Sequence, residues 1–214
     1  MSRGCFVVVE GPEGAGKSTL VAALADRMRD AGAEPVLVRQ PGGTRVAEAL
    51  RHELLDADRQ WTAEQELLYV ATARADLMAH VVVPALQGGR VVLCDRHDLS
   101  TYAYQGAGRG VPEDRIRWVL EAATGGRHPD ITLVLDIDPG TGRTRQGLAG
   151  KGADRLERED LAFHERVARH YRSTSGPGVH HLDGGASPEA VLRGAWQALA
   201  ASRPDLFQPV AEPA

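Results

Sequence analysis

One stretch near the start, Gly11-Pro12-Glu13-Gly14-Ala15-Gly16-Lys17-Ser18-Thr19, constrains this chain more than any other. It fits the pattern G-x-x-x-x-G-K-[ST], follows an apolar run from Cys5 to Glu10, and opens a segment of helical period from Lys17 to Ala31. Glycines let such a loop curl until successive N–H groups point at phosphate oxygens, and the helix N-terminus adds its dipole. In this pattern Lys17 reaches the outer phosphates and the Ser18 hydroxyl suits a magnesium ion. The ligand-free alternative is a plain strand-to-helix turn.

A strand–loop–helix unit of this kind needs parallel neighbours. Short β-rich runs at Cys5 to Glu10, Glu34 to Arg39, Arg90 to Asp95, Ile131 to Asp136 and Gly178 to Leu182 alternate with helical stretches. The helices expected are Lys17 to Ala31, Arg45 to Leu55, Ala63 to Gln87, Glu113 to Thr124, Leu156 to Ser173 and Pro188 to Ala201. This alternation specifies an α/β chain of three layers, a five-stranded parallel sheet with helices on both faces. The strand carboxyl ends, where ligands gather, then lie on one edge. We read one domain over residues 1–204, a basic, glycine-rich mobile flap over 139–155, and a flexible tail over 205–214.

Charge excludes some partners. The 29 acidic and 25 basic residues leave a formal charge of -4, too little field to draw nucleic acid or an anionic membrane, so phosphate recognition must be local. Only Lys17 and Lys151 are lysines; every other basic residue is arginine. Cys5 and Cys94 sit in apolar runs, as buried thiols do, and no stretch is expected to approach the ~20 residues of a bilayer span. A soluble, cytoplasmic protein is expected.

Elimination narrows the chemistry. No aspartate is followed three residues later by glycine, as a GTPase would need, and no L-S-G-G-Q signature of transporter ATPases occurs. A small kinase or a nucleotide-sensing module remains. Val91 to Arg96 is an apolar strand ending in an acid and a base, which places Asp95 to organise magnesium and Arg96 to hold a transferring phosphate. Arg74 lies amid the apolar stripe of its helix, with Leu67, Val70, Ala71, Leu77 and Met78 within about 60°. A guanidinium there needs either an internal partner, Glu48 or Asp98, or a ligand anion. Arg39 to Thr44 reads as a turn; Arg96 to Gly106 offers Tyr102, Tyr104 and Gln105 to flank and hydrogen-bond a planar base, the alternative being that Ser100 caps a short helix under which both tyrosines pack.

With these residues assembled, the chain resembles the thymidylate kinases, which phosphorylate dTMP with ATP and magnesium. The resemblance spans nearly the whole length. It rests on Glu10 to Thr19, on Pro41-Gly42-Gly43-Thr44 followed by Ala47 to Arg51, on Asp95-Arg96-His97-Asp98-Leu99-Ser100-Thr101 with Ala103 to Gly106, and on Asp154-Arg155-Leu156-Glu157.

The resemblance implies a P-loop kinase fold and a role for each matching position. Gly11, Glu13, Gly14, Ala15, Gly16, Lys17, Ser18 and Thr19 would cradle the ATP phosphates, with Mg2+ on Ser18 and Asp95. Arg51, Arg74 and Arg96 would clamp the acceptor phosphate, Arg74 and Gln105 would reach the thymine edge, Tyr104 would flank the deoxyribose, and Glu13 and Pro41 would border the acceptor. Ala15 leaves the phosphate loop without an arginine, so the flap would supply one: Arg143 or Arg145 as the catalytic group, with Lys151 and Arg155 beside them. Val70 stands where the family usually has a stacking phenylalanine, and Gln40 where it has an acid. The resemblance also implies a homodimer joined through the long helix from Ala63. The reaction expected is ATP plus dTMP giving ADP and dTDP; the alternatives are a kinase for another or modified pyrimidine nucleotide, and a nucleotide-binding regulatory module.

Overall fold

Strand β1 (Cys5–Glu10) is buried along its whole length, which is why its sequence is a continuous apolar run rather than an alternating one. Its two faces serve different layers. Val7 and Val9 pack with Leu20, Leu24 and Met28 of α1 (Lys17–Asp30) and Trp196 and Leu199 of α9 (Pro188–Ser202). Phe6 and Val8 pack on the opposite side with Leu77, Met78, Val82 and Leu86. Each such buried side chain contributes about 1.5–3 kcal/mol, so the sheet is held from both faces at its centre.

The computed structural model describes residues 4–148 and 154–208. Its sheet contains β1, β2 (Val36–Arg39), β3 (Val91–Asp95), β4 (Ile131–Asp136) and β5 (Val179–Asp183) in the order β2-β3-β1-β4-β5, all parallel. Registers Val9↔Asp95 and Arg39↔Asp95 bring Arg39, Asp95 and the end of β1 to one edge. The expected three-layer α/β architecture is therefore present.

The remaining helices are α2 (Arg45–Leu55), α3 (Ala63–Leu77), α4 (Val83–Gln87), α5 (Asp98–Thr101), α6 (Glu113–Thr124), α7 (Pro139–Leu148) and α8 (Leu161–Ser173). A π-helical turn, Met78–Val82, joins α3 to α4, so the expected Ala63–Gln87 helix is continuous but widened. It has the length and hydropathy of a bilayer span, which corrects the expectation that no stretch approaches one. Buried Glu66 and Arg74 and its packing against α2 and α6 make it a core helix.

Four further expectations need correction. The flap from Pro139 is helical through Leu148: proline opens the helix, Asp138 accepts from the Thr141 N–H at 3.1 Å, and both outweigh the poor helix propensity of glycine. Helix α8 starts at Leu161 rather than Leu156, because Asp160 caps it by accepting from the Phe163 N–H at 2.7 Å. Ser100 lies inside its helix rather than capping it, with His97 at the N-cap. The tail expected from Asp205 is docked as far as Gln208. Phe207 is buried against Trp196, whose indole N–H donates to the Gln208 carbonyl at 2.8 Å.

Candidate active site

A cavity of about 1000 Å³ opens at the strand carboxyl ends, bounded on one side by Glu13 to Thr19 and on the other by α2, α3 and the segment after β3. The phosphate loop is shaped by glycine where nothing else fits. Gly14 has φ +72°, and a Cβ there would lie 2.2 Å from the Gly142 carbonyl oxygen of α7. Helix α7 thus rests directly on the loop backbone. Gly16, at φ +93°, caps α1 without a side chain, leaving the first-turn N–H groups for an anion.

Lys17 is buried, donates from Nζ to the Pro12 carbonyl at 2.7 Å, and lies 3.8 Å from the Glu13 carboxylate. Burial, then the neighbouring Arg96, lowers its pKa to about 8. The amine is therefore charged below that pH and neutral above it. We predict that kcat/KM for ATP falls as pH rises through the Lys17 titration; a profile flat to about pH 10 would contradict this placement.

The Ser18 hydroxyl donates to Asp95 Oδ2 at 2.9 Å, so the two residues expected to share a metal are adjacent. Among the described residues no cluster of three or more His, Cys, Asp or Glu forms a metal cage. A hydroxyl and one carboxylate are instead what magnesium uses when phosphates and water supply its other oxygens.

Arg96 is the one non-glycine residue at positive φ among those described, at 73°. Glu10 holds that turn. Its buried carboxylate accepts from the His97 N–H at 2.7 Å, the Ser100 hydroxyl at 2.7 Å and the Tyr171 hydroxyl at 3.1 Å, while the Arg96 N–H donates to the Val9 carbonyl at 2.9 Å. The guanidinium so aimed pairs with Glu13 and donates to the Gly11 carbonyl at 3.1 Å. Burial alone would raise the Glu13 carboxyl, but Arg96 and then Lys17 hold it below the usual carboxylate range. Tyr104 lies under Arg96, ring centroid 5.2 Å from the guanidinium carbon, its buried hydroxyl near Glu13 and Arg96 without a well-formed hydrogen bond to either.

Arg74 is 1% exposed and borders the cavity. It donates to the Gln40 side-chain oxygen at 2.6 Å, the Thr101 hydroxyl at 3.0 Å and the His97 carbonyl at 2.9 Å, with Asp98 at 3.6 Å. Asp98 is thus an internal partner, as one expectation had it, and Arg74 also lines the cavity. Gln40 thus supplies its side-chain oxygen as an acceptor for Arg74. Arg51 donates to the Pro41 carbonyl at 3.0 Å, and Pro41, Val70 and Gln105 complete this end of the cavity. Tyr69, beside Val70, does not compensate for a stacking ring there, because it packs on Trp61 with centroids 4.4 Å apart.

The basic residues of the flap separate. Arg145 lines the cavity and donates to the Gly184 carbonyl at 2.8 Å. Arg143 is exposed and lies off the cavity wall. Arg155, expected in the lid, is buried and holds structure, donating to the Leu54 carbonyl at 2.9 Å and to Glu66 at 2.5 Å. Lys151 lies outside the described residues. Sequence reading missed Glu10, Glu66 and Tyr171; an acid closing a buried strand was the available signal for Glu10.

Comparison with known proteins agrees with this geometry. A family model described as thymidylate kinase matches residues 9–193. A thymidylate kinase from Pseudomonas putida (strain GB-1) is 46% identical over 194 residues, covering 89% of this chain and 92% of that protein. One from Halorhodospira halophila is 46% identical over 179 residues, covering 82% and 83%. The crystal structure of thymidylate kinase from Ehrlichia chaffeensis superposes with a TM-score of 0.70 at 27% identity, covering 84% of this chain and 92% of that one. With a phosphate loop, a Ser18–Asp95 pair and an arginine-walled far end in one cavity, and with relatives this similar over this much of its length, the chain belongs to the thymidylate kinase family.

Proposed function

We propose that the chain transfers the γ-phosphoryl group of ATP to dTMP, giving ADP and dTDP. The observation that carries this reading is one cavity with two phosphate-binding ends: the phosphate loop with Lys17, and the cluster of Arg51, Arg74 and Arg96. A module that only sensed one nucleotide would need no second arginine cluster. An acceptor phosphate oxygen attacks the γ-phosphorus, the bond to the β-bridging oxygen breaks, and ADP leaves. The acceptor is already ionised, so the residues position and neutralise rather than abstract a proton. Lys17 would exchange the Pro12 carbonyl for phosphate oxygens, Arg96 would bridge towards the acceptor, and Arg145 would swing from Gly184 onto the transferring group. Ser18 and Asp95 would hold Mg2+, whose charge offsets that of the phosphates.

The protein acts in the cytoplasm as a homodimer, without nucleic acid or membrane. The dimer reading is supported by large apolar side chains on outer helix faces, Leu68 of α3 at 57% exposure and Trp118 of α6 at 73%. An ADP-release assay across dTMP, dUMP, dCMP, UMP and AMP tests the assignment. The highest kcat/KM is expected for dTMP; a preference for any other acceptor would replace it with the corresponding kinase.

A further inference from the structure

Glu66 is a fully buried carboxylate that the reaction as described does not use. Three side chains from two segments, Gln105 with Arg109 and Arg155, converge on it. Arg155 donates to Oε1 at 2.5 Å, Arg109 donates from Nε at 3.1 Å to Oε1 and 3.2 Å to Oε2, and the Gln105 amide nitrogen lies 3.2 Å from Oε2. Arg109 also pairs with Glu159 at 2.6 Å, and Arg155 bonds the end of α2, so the carboxylate is fixed from several sides.

A carboxylate between two guanidiniums can only accept. The amide of Gln105 therefore has one permitted orientation, NH2 towards Glu66, and its carbonyl is the end left for the cavity that this side chain lines. We infer that Glu66 is a positioning residue that sets the hydrogen-bond polarity of Gln105, so that the acceptor site presents a carbonyl to the base and selects rings offering an N–H at that edge. This rests on the dTMP reading. Thymine carries an N–H at N3, whereas cytosine carries a lone pair there that a carbonyl repels.

Replacing Glu66 by glutamine inverts the logic. The two arginines only donate, so the new carbonyl stays with them and the new NH2 turns to Gln105. Gln105 must then offer its own carbonyl inward and its NH2 to the base. For Glu66→Gln the ratio of kcat/KM for dTMP over dCMP should drop roughly ten- to hundredfold, with dCMP use rising in absolute terms. Loss of stability alone would lower both activities and leave the ratio unchanged, and an unchanged ratio overturns the proposal. Wild-type enzyme that fails to phosphorylate dTMP would instead remove the functional reading beneath it.

A second measurement needs no change at Glu66. In nitrogen-labelled wild-type protein, the Gln105 side-chain NH2 signal, assigned by its disappearance in Gln105→Leu, should exchange slowly and stay in place when dTMP saturates the site. A large shift on dTMP binding would mean that the NH2 meets the base, and would also overturn the proposal.

Discussion

Lys17→Ala is expected to lower turnover by roughly 10³ or more while the protein stays folded. Lys17 is buried beside Pro12 and Glu13 at the loop end of the cavity, where the proposed transfer would place a phosphate that needs its charge. Alanine removes that charge, and no other lysine stands among the described residues. Stability should respond differently. A lysine whose pKa falls to about 8 on folding is one whose charge the fold disfavours at neutral pH, so deleting it relieves a burial cost. Glu13 keeps Arg96 as its partner. Turnover from the ADP-release assay and a thermal melt therefore separate: a near-normal melt with lost activity is expected, and activity within about tenfold of wild type would remove Lys17 from its role.

Arg145→Ala is expected to lower kcat by about 10³ with a much smaller change in KM for ATP, whereas Arg143→Ala should remain within a few-fold of wild type. Two residues apart on α7, these side chains point about 200° from one another, so one can face the cavity and the other cannot. Arg145 is already at the cavity edge, on the Gly184 carbonyl, and Gly184 itself lies close to the Ala15 backbone of the phosphate loop. Its contact with ATP would form during transfer more than during binding, which is why turnover should carry the loss. Small and equal effects of Arg145→Ala on kcat and on KM for ATP would place that arginine in a surface role.

The fold was legible where local pattern and tertiary packing agree. The apolar strand before Gly11, the helix after Gly16 and the acid at the end of β3 each have one sensible placement, and the structure has them there. Helix α7 was not legible, because its glycines argue against a helix locally and the support comes from Asp138 and from packing on the phosphate loop. Glu66 escaped for a geometric reason. It lies about 80° from Arg74 on the helix, at the margin of the apolar stripe, where an acid reads as solvent-facing. Its partners arrive from Gln105, Arg109 and Arg155, distances in sequence that no periodicity reports. Arg155 was misplaced for the same reason: adjacency to the flap suggested a ligand, while the fold turns the guanidinium inward.

Incubating wild-type enzyme with γ-labelled ATP, magnesium and dTMP, then separating the products, tests the central claim most directly. Label is expected in dTDP in proportion to the ADP formed, with little in inorganic phosphate because the cavity holds an acceptor in place of water. Label accumulating as inorganic phosphate, or none reaching dTDP while another nucleotide is labelled, would contradict the account.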